Sequence, residues 1–375
     1  QIWDKLAAFA NYGFPESHSI SFAYLVYASS WLKLHYPAAF CAALLRAQPM
    51  GFYSPHSLVQ DARRHGVPTL GPCVNASAAT AGLERLAHGV APPPITVAGA
   101  DQIRAERWDH GWAVRMGIGS VRHVGEELAE RIDAGRPYAS IEDVARRAEV
   151  PREALEALAT AGAFDCFEPP NPSNFVDKGR PAPHFFTEFS PDGVDGGEGP
   201  GRSSSRRRAL WAAGAVAQGG VGQLEGIVTG VEAPTLPGMS AQEEALADLW
   251  ATGVAADGHP TRFLRAGLAE RGVVAAADLA TLTHGRKVVV GGVVTHRQRP
   301  ATASGTTFIG MEDETGLINV VVSLGCWARY GRVARNAPAL LVRGRVERQG
   351  EVVNIVAEKL EPLPVAAAPA SRDFR

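Results

Sequence analysis

Along the first part of the chain the apolar positions recur at helical spacing. In residues 18–36, Phe22, Leu25, Val26, Trp31, Leu32 and Tyr36 fall at three- and four-residue steps until Pro37 ends the run. A second helix is predicted over residues 38–46. A third periodic stretch, Leu58, Val59 and Ala62, stops at Gly66, and residues 67–74 read as extended. Residues 78–100 are rich in Ala, Gly and Pro and predict a connector. Residues 169–208 have the Pro, Gly and Ser composition of a flexible insertion. Ser240 and Glu243 stand at capping-box spacing, which starts a helix that runs to residue 252.

Beyond residue 285 the period shortens to two. A Val-rich strand over 287–297, broken by Gly291 and Gly292, is followed by strands over 306–314 and 317–324. A helical stretch at 326–335 precedes two strands, 339–348 and 351–359, that flank a turn at Gly350. Three strands, a helix and two strands is the order of an OB fold, and paired glycines suit the curl of a small closed barrel. Alternation puts Leu340, Val342 and Val346 inside and Arg343 and Arg345 outside. There they are expected to meet Arg297 and Arg299 in a groove that tracks a phosphate backbone, with Phe308 available for base stacking. The alternative is a structural barrel with a solvated basic face. Trp327 and Tyr330, on the helix, are assigned to the core.

Residues 121–132 have the spacing of a helix-hairpin-helix: Val121 and Val124 as anchors, Gly125 at the turn, Ala129 four residues on and Ile132 three further. Such a turn aims backbone N–H groups at a DNA phosphate without reading a base. His123 replaces the first turn glycine, which counts against one close backbone approach, although a histidine can tolerate positive φ at some cost. A second half follows through Ile141, Val144, Leu155, Leu158 and residues 161–165. A purely structural four-helix unit is the alternative. Nearer the start, Tyr12, Gly13, Ser17 and His18 lie where a Gly-Pro turn enters the first helix. With Ser17 as N-cap, the first-turn N–H groups would favour an anion; a capped core helix is the plainer reading.

Charge refines this picture. The 37 Lys+Arg nearly balance 39 Asp+Glu, which argues against a uniformly basic nucleic-acid binder. Residues 286–361 nonetheless carry +4, while residues 101–165 carry −4 and 166–285 carry −5. Phosphate contact is therefore expected in the barrel and at helix N-termini. Four cysteines without a C-x-x-C pair give no disulfide framework or zinc site, and no long apolar run predicts a membrane span, so a soluble cytoplasmic protein is expected. Gln1 stands inside a helix-like run, which suggests a fragment.

Several motifs together resemble one family. Asn11-Tyr12-Gly13-Phe14, Ser17-His18, Trp31-Leu32-Lys33 and Tyr36-Pro37-Ala38-Ala39-Phe40 are similar to the fingers of bacterial C-family DNA polymerases, the polymerase III alpha subunit and its relatives. Val114-Arg115-Met116-Gly117, Ala161-Gly162-Ala163-Phe164-Asp165, Arg207-Arg208-Ala209-Leu210-Trp211, Met311-Glu312-Asp313-Glu314-Thr315-Gly316 and Ser371-Arg372-Asp373-Phe374 follow in the family's order. Pro15-Glu16-Ser17-His18 resembles the error-prone, damage-inducible branch; the replicative branch usually has lysine at the position of Glu16.

The resemblance implies a multidomain α+β chain. Its parts are late fingers and connector (1–111), a tandem helix-hairpin-helix unit (112–168), the insertion (169–208), a helical connector (209–284), a five-stranded OB-fold barrel (285–361) and a tail (362–375). It implies an error-prone DNA-directed DNA polymerase acting on primer-template DNA and deoxynucleoside triphosphates, with nucleotide-proximal groups at Tyr12, Gly13, Ser17 and His18. Catalytic Mg²⁺ would be held by palm carboxylates outside this chain, which alone is expected to be inactive. A Y-family-like accessory protein and the sliding clamp are the implied partners, though residues 223–228 lack the aromatic of a clamp peptide. A replicative alpha-subunit fragment and a non-enzymatic DNA-binding protein with the same modules are the alternatives. A further domain after the barrel would favour the first, and a palm motif in frame upstream of Gln1 separates the second from the polymerase reading.

Overall fold

Pro37 does two jobs at the start of the chain. It ends α1 (Glu16–His35) and opens α2 (Pro37–Arg46), where its missing N–H leaves no bond unmade. In α3 (Pro55–Arg64) the Ser54 hydroxyl accepts the Ser57 N–H at 3.2 Å and caps the helix. The computed structural model describes residues 2–3, 16–86, 91–97, 99–167, 204–218, 230–256, 258–350, 352–369 and 371–374. A small sheet follows, built from β1 (Thr69–Leu70), β2 (Gly82–Arg85) and, after α4 (Ala100–Glu106), the central β3 (Trp112–Arg115). The expected connector over 78–100 therefore contains a strand, which pairs antiparallel with β3.

Helices α5 (Glu126–Ala134), α6 (Ile141–Arg147) and α7 (Arg152–Thr160) bury Ile118, Ile132, Leu155, Leu158 and Phe164 in one core. A further helix, α8 (Ser204–Ala217), adds Ala209, Ala213 and Val216 to it. The hairpin unit thus reaches past residue 168, and residues 204–208 are helical rather than part of a loose insertion; 169–203 lie outside the described residues. In α9 (Ala241–Thr252) the capping box forms: Glu243 N–H donates to Ser240 Oγ and Ser240 N–H to Glu243 Oε2, at 3.3 and 2.8 Å. Arg206 on α8 pairs with Asp248 on α9 at 2.7 Å.

After α10 (Arg265–Glu270) and β4 (Val273–Val274) comes the barrel. Its strands are β5 (Lys287–Gln298), β6 (Thr307–Glu312) and β7 (Leu317–Val322), then, past α11 (Leu324–Asn336), β8 (Ala339–Gln349) and β9 (Val352–Pro362). The order β5-β6-β7-β9-β8 closes through the β5–β8 pairing, so the OB architecture holds. Two short strands extend it: β4 pairs with β5, and β10 (Arg372–Phe374), inside the expected tail, runs parallel to residues 296–298. Leu340, Val342, Val346, Met311 and Ile355 fill the interior, with Trp327 and Tyr330 partly buried against it.

Closure depends on the paired glycines. At Val293 strand β5 changes partner from β8 to β6. A Cβ on Gly292 would lie 2.7 Å from the carbonyl oxygen of Glu312, backbone that cannot swing aside. Gly292→Ala is expected to cost about 1–3 kcal/mol through overpacking, read as a lowered thermal midpoint.

The barrel docks on the N-terminal helices through buried charge. Arg64 of α3 donates to Glu312 Oε1 at 2.8 Å, with both side chains buried. Arg265 pairs with Glu314 and, at 2.9 Å, with Asp313. Asp313 Oδ1 meanwhile accepts the N–H groups of Thr315 and Gly316 and shapes the β6–β7 turn. Gln60 donates to the carbonyls of Ala255 and Gly258. The His296 ring lies over Gly310 and meets Phe52, with ring centroids 5.7 Å apart.

Candidate nucleic-acid interface

In the hairpin unit the chain makes the same turn twice. His123 has φ +63° and, 26 positions later, Glu149 has φ +50°. Val124 and Val150 follow as apolar anchors, and Gly125 and Pro151 stand at the N-caps of α5 and α7. His123 takes the positive φ that a histidine tolerates at some cost. The second turn escaped sequence reading because its positive-φ position is a glutamate and its cap a proline; the repeat of Val-Gly in Val-Pro was the available signal.

The first hairpin exposes His123 and Gly125. Val124 is buried and its N–H is already spent on the carbonyl of Val121 at 3.0 Å, so it serves as an anchor and offers no donor. The helix's own ladder starts with Ala129 N–H to Gly125 C=O, leaving the N–H groups ahead of it aimed out of the helix end. Glu126 and Glu127 crowd that end with negative charge. Arg122 is drawn over the Trp250 ring, 4.9 Å from its centroid. Electrostatics therefore favours the barrel over this hairpin as the stronger phosphate contact.

On the barrel the expected groove separates into two surfaces. Arg343 and Arg345 are exposed as predicted, and register places them beside Lys359 and Lys287 respectively on the neighbouring strands. Arg345 pairs with Glu358 at 2.8 Å and Lys359 with Glu361 at 3.0 Å. Among the described residues Arg343 and Lys287 form no ion pair. This patch holds four basic groups against two acidic ones. Lys287 and Lys359 were missed because cross-strand neighbours are set by register, which single-strand alternation does not give.

The second surface lies at the other end of β5, about 35 Å away along the strand at 3.3 Å per residue. Phe308 is 39% exposed there and pairs with Gln298; the neighbouring Arg299 is exposed, with its guanidinium over the Trp327 ring at 5.2 Å. Arg335 approaches the same ring at 5.4 Å. Arg297 does not join either surface. It is buried, donating to the carbonyl of Ala334 at 2.6 Å, to Ser371 Oγ at 2.8 Å and to Asp373 at 3.2 Å. The cause is a register shift between Val294 and His296. Ahead of it the odd-numbered residues of β5 face outward; beyond it His296 does, and Arg297 turns under the end of α11.

Of the four nucleotide-proximal candidates, Tyr12 and Gly13 lie outside the described residues. Ser17 and His18 fall within the first turns of α1, so Ser17 does not cap it. Among the described residues no group of three His, Cys, Asp or Glu side chains is arranged to hold a metal. The acidic run Glu312-Asp313-Glu314 is committed to Arg64 and Arg265 instead. No helix there is long and apolar enough to cross a membrane.

Comparison with known proteins agrees with both modules. Residues 66–173 match the helix-hairpin-helix motif family, starting at the small sheet, and residues 288–363 match the OB-fold nucleic acid binding domain. Over its whole length the chain is 50% identical to the error-prone DNA polymerase of Nocardia farcinica and 47% identical to those of Mycobacterium bovis and Corynebacterium efficiens. It spans 29–30% of the length of these relatives. Over its full length, and in its two modules, the chain is thus similar to the C-terminal region of error-prone DNA polymerases.

Proposed function

We propose that this chain is the DNA-holding C-terminal region of a DNA polymerase that extends primers across damaged template, in DNA repair and damage-induced mutagenesis. The observation that carries the reading is the conjunction of full-length similarity to error-prone polymerases with a hairpin unit and a basic, aromatic-bearing OB barrel. Nucleotidyl transfer, with deoxynucleoside triphosphates and Mg²⁺, belongs to parts of the polymerase outside this chain, so no catalytic step is assigned to its residues. α1 carries exposed Ile20, Tyr24, Leu25, Val26 and Tyr27, an apolar surface suited to cover by the remainder of a polymerase. The family resemblance adds a Y-family-like accessory protein and the sliding clamp as proposed partners.

The chain's own part is to bind the template strand. Phe308 offers a stacking face for an unpaired base, worth about 1–3 kcal/mol, beside the guanidinium of Arg299. Lys287, Arg343, Arg345 and Lys359 attract the backbone. Arg343→Ala combined with Arg345→Ala is expected to weaken single-stranded DNA binding by the whole chain. It should flatten the slope of log affinity against log salt by about 1.4, at about 0.7 per phosphate contact on single strands. Fluorescence anisotropy at four salt concentrations measures this, and an unchanged slope removes the patch from the interface.

A further inference from the structure

Two cysteines that are distant in sequence meet beside the hairpin unit. Val74 N–H donates to the carbonyl of Ala163 at 3.0 Å, which ties the loop after β1 to the turn that follows α7. The Cys166 thiol points at that same carbonyl, 3.9 Å away, and Cys73 immediately precedes Val74. The tie brings the two cysteines together at one backbone hydrogen bond, where each shifts the proton affinity of the other. Cys73 is half-buried and Cys166 exposed, whereas Cys41 and Cys326 are buried.

We propose that Cys73 and Cys166 form a peroxide-responsive dithiol site, whose oxidation to a disulfide staples the loop after β1 to the end of α7. The chemistry is asymmetric. The Cys73 thiol is pulled down to about 6, first by the hydrogen bond from Cys166, with burial opposing and the Asn75 and Ala76 N–H groups and the Arg115 charge assisting. The same hydrogen bond, with burial, raises Cys166, which keeps its proton. Cys73 is thus the nucleophilic thiolate near neutral pH. Its sulfur attacks one peroxide oxygen, the O–O bond breaks, and Cys73 sulfenic acid and water form. The Cys166 sulfur then attacks the Cys73 sulfur, displaces the hydroxyl as a second water and closes the S–S bond. Two thiols and one hydrogen peroxide give one disulfide and two waters. By contrast, burial pushes the Cys41 thiol up to about 12, and it is expected to stay inert.

The test is peroxide treatment of the full chain, followed by thiol titration after denaturation and peptide mass mapping. Free thiols are expected to fall from four to two, with one peptide cross-link joining 73 to 166, reversed by dithiothreitol. In Cys166→Ser the cross-link is lost and a sulfenic acid on Cys73 is trapped by dimedone. In Cys73→Ser the remaining three thiols persist under the same treatment. Four surviving thiols in the unmodified chain would overturn the proposal. So would a cross-link between two chains, or over-oxidation of Cys73 at the same rate with and without Cys166. None of these readouts depends on the polymerase reading.

Discussion

Alanine at position 64 is expected to destabilise the union of barrel and helices by about 3–5 kcal/mol, because it strands the Glu312 carboxylate in the protein interior. Burial already pushes the Glu312 carboxyl above its ordinary range, and the Arg64 charge and hydrogen bond work against that rise. Without the guanidinium, Glu312 must take up a proton or draw water into the junction. Replacing both partners, Arg64→Met with Glu312→Leu, removes the charge together with its counter-charge and is expected to recover most of the loss. The measurement is urea unfolding followed by separate probes on the barrel and the hairpin unit. Arg64→Ala should split one transition into two, the barrel melting apart from the helices. A single transition at the original midpoint would show that the pair contributes nothing to docking.

Acid should open the same junction. His56 and His259 are both buried, with ring centroids 5.4 Å apart. Each uses Nδ1 as an acceptor, from the Ala255 N–H and the Thr261 N–H respectively, and each leaves Nε2 without a partner. Burial first, and then the Arg64 charge, brings His56 down to about 3; burial, His56, Arg64 and Arg265 lower His259 as well. A histidine lowered in the folded state contributes stability that is full above its unfolded value of about 6.5 and is lost as pH falls below it. The slope is about 1.4 kcal/mol per pH unit for a ring that stays neutral, or about 2–3 kcal/mol for His56 alone between pH 6.5 and 4.5, and His259 adds to it in the same direction. Glu314 works in the same direction lower down: burial raises its carboxyl, but hydrogen bonds from Arg265 and Thr261 outweigh that and hold it below the ordinary range. Glu312, raised, opposes the trend, since acid favours its folded form. Denaturation curves between pH 7 and 4.5 should therefore show the loss, and His56→Gln with His259→Gln should flatten it. A pH-independent midpoint in the unmodified chain would exclude these rings as the cause.

The barrel was legible because its signals are local. Strand period, the Gly291-Gly292 break, the Gly350 turn and the helix between third and fourth strands all lie in contiguous sequence, and each observed strand begins and ends within two residues of the sequence-based expectation, apart from the last strand's end. The surface was less legible. One inserted residue near Thr295 reverses which side of β5 turns away from the barrel interior, so Arg297 reads as a groove residue and folds as a structural one. The role of Glu312, Asp313 and Glu314 stayed hidden for a different reason. Their partners Arg64 and Arg265 sit 48 to 248 positions away, and only tertiary packing brings them together. The same holds for Cys73 and Cys166, which no spacing rule links. In the hairpin unit the positive-φ positions are held by His123 and Glu149 where glycine would have announced a turn. The nucleotide-proximal reading at Tyr12 and Gly13 came from family resemblance.

Strand β10 has a meaning beyond its three residues. Along 296–298 it covers the side of β5 that β6 leaves open, and the Arg297 contacts to Ser371 and Asp373 hold it there. Bare, that margin would offer backbone N–H and C=O groups to any passing extended chain. The final segment therefore acts as a selvedge, finishing the fabric of the barrel so that it does not ravel into its neighbours. Cutting the chain at residue 370 would leave the barrel core untouched while making it adhesive, and solubility would suffer before stability did.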